Sequence, residues 1–193
     1  MYIILDKPIH HWNYYLAIED DMLKTSRYVE ISLDNLKTYS VEYTKIILSA
    51  ASEVDVLLKQ IYLSLGFKKK KPNFNDYCIA IKEKLITLLT EQLCFEQYAI
   101  SLSPFSEWEN GLEPDWHKAY NNLKHNRTVN FKDANLENAL LSLSALYSTV
   151  VHYYLCSTPL KMSIEERHLL DFIQSLAPHS KMIQFSKYYS PRL

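Results

Sequence analysis

Leu36, Tyr39, Tyr43, Ile46, Ile47, Ala50, Val54, Leu57, Leu58, Ile61 and Leu65 recur at three- and four-residue steps. That spacing gathers apolar side chains into one stripe and predicts a long amphipathic helix. Thr38 or Ser40 is placed to cap its start, and Gly66 stands where a left-handed residue ends a helix. Lys68 to Lys71 and Pro72 form an exposed connection, after which Asn73 or Asn75 caps a second helix through Ile79, Ile81 and Leu85. From Leu93 to Phe105, apolar Phe95, Tyr98, Ile100 and Leu102 are spaced between polar residues, which predicts an extended edge segment ended by Gly111 and Pro114.

A shorter helix from Asp115 carries Trp116, Ala119, Tyr120 and Leu123 on one side and ends near Arg127. Asp133 is placed to cap the next helix, whose apolar face runs through Leu136, Ala139, Leu140, Leu143, Leu146, Val150 and Tyr154 until Pro159 stops it. Ser163 and Glu166 have capping-box spacing and open a helix to about Leu176. The alternation of Tyr28 to Ser32 predicts a short strand, and the tail has Phe185, Tyr188 and Tyr189 without periodicity. No repeat or Pro/Gly/Ser-rich linker divides the chain. The expectation is one mainly all-α domain over residues 1–193, a bundle of about five helices with short β or extended adornments. Its helical core spans about 36–176, with an N-terminal adornment at 1–35 and a C-terminal strap at 177–193.

Composition narrows the function classes. The 193 residues are 48% hydrophobic and include two glycines, Gly66 and Gly111, where average usage of about 7% would supply many more. Glycine-rich phosphate loops and dinucleotide-binding folds are therefore excluded, and any phosphate must be held by side chains. The formal charge of −1 provides no global attraction to nucleic acid or membrane. Cys78, Cys94 and Cys156 are widely spaced and odd in number, so neither a disulfide framework nor a zinc site is expected. The N-terminal apolar run is too short for a signal peptide or membrane span, and a reducing cytoplasm is the expected location.

Polar chemistry concentrates in residues 113–140. Asn121 and His125 are four apart, Lys124 and His117 lie within a turn of that face, and Arg127 follows at the helix end. A proton-exchanging histidine among cations suits an anionic ligand; the alternative is an ordinary solvated helix face. SEVDVLLK on the first long helix, then WHKAYNNLKHNR, then FKDANLENALLSLSALY opening another helix, resemble the HEPN superfamily of small helical bundles found in prokaryotic RNase toxins and phage-defence proteins. The resemblance covers roughly residues 36–155.

What it implies is metal-independent RNA cleavage by 2′-hydroxyl attack, with two copies of the motif facing each other across a homodimer, no cofactor, and an antitoxin partner of the nucleotidyltransferase kind. On that pattern His125 is the acid/base or phosphate-orienting group, Asn121 holds it or the phosphate, and Lys124 and Arg127 supply positive charge. Tyr120 occupies the position where the family has arginine, which removes a bidentate phosphate donor. The family's acidic residue and following basic residue on the first long helix match Asp55 and Lys59, with Glu53 competing; otherwise Asp55 and Lys59 are a surface pair. A non-catalytic RNA-binding or protein-interaction module is the second reading.

Other features carry less. Lys68 to Lys71 touch RNA backbone or are simply solvated, and His10 and His11 diverge on any regular element and have no third metal ligand nearby. His152 and His168 are expected at the bundle edge.

Overall fold

Residues 9–157 and 176–186 are described by a computed structural model of the chain. In order they form α1 (His10–Thr25), α2 (Val41–Ser64), α3 (Phe74–Lys84), α4 (Thr87–Thr90), β1 (Leu93–Phe95), β2 (Ile100–Leu102), α5 (Ser106–Glu109), α6 (Asp115–Asn130), α7 (Leu136–Ser157) and β3 (Gln184–Phe185). The fold is mainly helical, as the periodicity predicts. It has seven α-helices among the described residues, of which α4 and α5 are single turns of four residues. The helix expected from Ser163, His168, Tyr188 and Tyr189 lie outside the described residues.

The core is built on α2 packed along α7. The apolar stripe of α2 is sealed, with Ile47, Ala50, Val54, Leu57, Leu58 and Ile61 all fully buried. Ser40, not Thr38, caps this helix by accepting the Tyr43 amide at 3.1 Å, so the helix starts at Val41, later than the apolar pattern. Gly66 ends it at φ +91°, a conformation that would strain any side chain. Helix α7 is long and apolar enough to cross a membrane, but 78% of its apolar window is buried inside the bundle, where small Ser142, Ser144 and Ser148 let α7 lie close to its neighbours. Leu57→Ala is expected to lower unfolding stability by about 2–5 kcal/mol through the cavity it leaves, measurable by urea denaturation. A cost under about 1 kcal/mol would mean that the α2–α7 contact repacks freely.

Several local expectations change. Residues 28–32 form a turn and irregular chain, not a strand. The segment before the long helix is no adornment: α1 buries Trp12, Tyr15, Ile18 and Met22 in the core, because a single turn-spaced aromatic face there meets Tyr147 of α7. Asn73, not Asn75, caps α3 in a reciprocal box with Asp76. Asp133 does not cap α7; Asn135 does, accepting the Asn138 amide at 2.9 Å, while Asp133 accepts the side chain of Asn122 at 2.7 Å. Of the Leu93–Phe105 region only β1 and β2 are extended: a 3-10 turn at Glu96–Tyr98 with Ala99 at φ +51° folds them into a hairpin, and β1 is not an edge but lies between β2 and β3, antiparallel to both.

The described part of the tail straps across α1. Glu19 is fully buried and accepts four hydrogen bonds: from Tyr15 OH at 2.7 Å, from Ser180 Oγ, and from the amides of Lys181 and Met182, each at 3.0 Å. Trp12 Nε1 donates to the Pro178 carbonyl at 2.9 Å, and β3 completes the sheet edge.

Candidate functional site

Helix α6 lies against α2 with Trp116, Ala119, Tyr120 and Leu123 inward, as its apolar spacing predicts. The helix extends to Asn130 and is kinked at Asn126, whose φ −149° and ψ 60° are non-helical. The packed part of the helix ends at Leu123, and the stretch from Lys124 to Val129, which contains the kink, is exposed.

In the packed half the polar centre is His117, a residue that sequence reasoning placed only at the margin of the patch. Its ring stacks on Phe74 with centroids 3.5 Å apart and planes 3° from parallel. His117 Nδ1–H donates to Glu113 Oε1, which also accepts Asn121 Nδ2 at 3.2 Å. On the other side of the ring, His117 Nε2 lies 3.8 Å from Asp55 Oδ1. Burial pushes the His117 pKa down, against the pull of Glu113 and Asp55, and burial pushes the Asp55 carboxyl up, against His117 and Lys124. The sequence signal for this cluster is the four-residue spacing of His117 and Asn121 on α6, with Glu113 just ahead of the helix start at Asp115.

The residues expected to act together are thereby divided. Asn121 turns toward His117 and Glu113, away from the role of holding His125. Asp55 faces His117, and it forms no ion pair with Lys59, which is exposed; Glu53 instead pairs with His11 of α1. Tyr120 is buried with its hydroxyl accepting Lys124 Nζ at 3.1 Å, and the ammonium sits 5.0 Å from its ring centroid. That hydrogen bond holds the Lys124 pKa above its ordinary value. His125 and Arg127 are exposed, and no carboxylate among the described residues pairs with Lys124, His125 or Arg127. Arg127 also borders a groove against Lys45, Leu48 and Phe131. The Lys68–Lys71 loop is exposed, with Lys69 bonded to Asp76.

A second polar cluster was not anticipated at all. His152 is not at the bundle edge but fully buried, its Nδ1–H donating to the Ser148 carbonyl at 2.9 Å. Its Nε2 lies 3.2 Å from Glu91 Oε1, and Glu91 Oε2 accepts Ser148 Oγ at 2.5 Å. Burial pushes His152 down to about 4 and Glu91 well above its ordinary value. Sealed from solvent, this pair has no route to a ligand. Among the described residues no group of three or more His, Cys, Asp or Glu is arranged to hold a metal. Comparison with protein-family models, with curated proteins and with solved structures returns no match for this chain.

Proposed function

We propose that the exposed half of α6 is a phosphate-binding surface for RNA, in a protein of the HEPN kind that works as a homodimer in a cytoplasmic toxin–antitoxin or phage-defence setting. The observation that carries the reading is the grouping of Lys124, His125 and Arg127 around the Asn126 kink with no carboxylate paired to any of them. Exposed cations with no carboxylate in ion-pair contact are available to replace the counterions of a phosphate backbone. Lys124 is held in place by Tyr120, so little side-chain freedom is lost when it binds.

Binding is favoured over cutting. In one copy, neither Asn121 nor Asp55 reaches His125, and Tyr120 offers no guanidinium to the scissile phosphate. Cleavage therefore depends on groups from a second copy. The test is a single-stranded RNA oligonucleotide titrated with wild type and with the Lys124→Ala/Arg127→Ala double variant, followed by fluorescence anisotropy. The double variant is expected to bind about tenfold more weakly at low salt, with the salt slope reduced by about 0.7 for each lost phosphate contact. Equal binding by both proteins would overturn the reading. RNA cleavage by wild type in the presence of a chelator, lost in a still-dimeric His125→Ala variant, would establish the nuclease instead.

A further inference from the structure

We propose that the groove between the N-terminal half of α2 and the end of α6 seats one unpaired RNA nucleotide, its base on Phe131 and Leu48 and its phosphate between Arg127 and Lys45. This deepens the RNA-binding reading and rests on it. The groove holds about 400 Å³ and is mainly apolar, with Val41, Leu48 and Phe131 in its lining. That volume is near the lower end of the roughly 300–1,000 Å³ typical of small-ligand clefts, which fits one nucleotide better than a helix of a partner protein.

Two features set the groove apart from a bare apolar depression. First, Phe131 is a fixed platform. Its ring meets Tyr39 edge-on, with centroids 5.6 Å apart and planes at 85°, and Tyr39 is itself bridged to Asn135 at the start of α7. A half-buried ring already held in one orientation offers a stacking face without further ordering cost. Second, the rim is cationic where the floor is apolar. Arg127 has no acidic partner among the described residues, and Lys45 is bonded only to exposed Glu42 at 2.7 Å, a contact it exchanges for a phosphate at small cost. Ser49 adds a hydroxyl at the same rim.

A base stacked on an aromatic beside an arginine is the arrangement that recognises single-stranded nucleic acid with little regard to sequence. Duplex RNA keeps its bases stacked inside the helix and cannot fill the floor. The groove therefore confers a preference for single strands that the α6 cations alone do not.

The experiment compares single-stranded and duplex RNA binding by wild type, Phe131→Leu and Val41→Trp. Phe131→Leu keeps an apolar side chain but removes the stacking face; Val41→Trp, at a 60% exposed position, fills the groove without altering charge or core. Both variants are expected to lose single-strand affinity by roughly tenfold while binding duplex as wild type does. Adenosine 5′-monophosphate is expected to shift the backbone NMR signals of Ser49 and Phe131 in wild type and not in Val41→Trp. If both variants bind single strands normally while Lys124→Ala/Arg127→Ala does not, the nucleotide site is refuted and the RNA reading stands. If none of the variants weakens binding, both fail. If Val41→Trp changes the oligomeric state and leaves RNA binding intact, the groove is a protein interface and the proposal is overturned.

Discussion

Glu91→Gln is expected to gain stability over wild type steadily as pH rises. The reason lies in proton counts. In the folded chain the buried pair holds one proton, on Glu91, because burial drives the carboxyl up and drives His152 down to about 4. In the unfolded chain Glu91 releases its proton near the ordinary 4.5 and His152 near 6.5. Between those values both states carry one proton, so the pair contributes no pH dependence. Above 6.5 the unfolded state carries none while the folded state retains one, and stability falls by about 1.36 kcal/mol per pH unit for as long as Glu91 stays protonated.

Glutamine imitates the protonated carboxyl: its oxygen accepts from Ser148 and its amide donates to His152 Nε2. The variant keeps only the histidine's contribution, which is lost as pH falls from 6.5 toward 4 and is constant above. Urea denaturation at pH 5.5 and 7.5 should show the advantage of Glu91→Gln growing across that interval. An advantage that does not change with pH would show that the folded pair holds no proton beyond those of the unfolded chain across that interval.

Glu19→Ala should release the strap. The substitution strips acceptors from Tyr15 OH, Ser180 Oγ and two backbone amides together, around a carboxylate that is itself fully buried. Charge-assisted hydrogen bonds of this kind contribute about 1.5–3 kcal/mol each in isolation but overlap when one group makes several. A total cost of about 3–5 kcal/mol is expected. Hydrogen exchange localises it: the amides of Lys181 and Met182 should lose protection, with Ile183 following because its amide donates to Ser180 Oγ at 3.0 Å. The α2–α7 core should stay protected up to the new, lower global stability. Unchanged exchange at Lys181 and Met182 would show that β3 pairing and the Trp12–Pro178 bond hold the strap unaided.

The legible parts of the fold share one cause. Leu57 and Leu143 are buried because each belongs to a run whose 3.6-residue period can be counted, and Gly66 ends α2 because few other residues tolerate its φ. Tyr28 to Ser32 misled because alternation over five residues is too short to distinguish a strand from a turn. The N-terminal segment was undervalued because the aromatic face of α1 becomes a core face only against Tyr147, more than a hundred residues away.

The site divides along the same line. The motif from Tyr120 to Arg127 could be read as one polar surface by spacing alone, and its cations do emerge together. Spacing could not reveal that Asn121 finds a carboxylate behind it, that Asp55 prefers His117 to Lys59, or that the helix breaks at Asn126. His152 shows the limit most plainly. It sits in the stretch of α7 from 142 to 152 where every residue is buried, and the carboxyl beside its Nε2 comes from Glu91, far away in the chain.

Local sequence, then, determined that the long periodic segments are helical, that α2 ends at Gly66, and that any phosphate must be met by side chains, since a chain with two glycines cannot wrap an anion in backbone. These are consequences of neighbours within a turn or two. Tertiary structure alone decided the protonation of Glu91 and His152, the anchoring of the strap on Glu19, and the groove under Arg127. Each depends on groups far apart in the chain meeting where water is excluded or nearly so, and the free energy of a charge or hydrogen bond there is set by the surroundings that folding supplies.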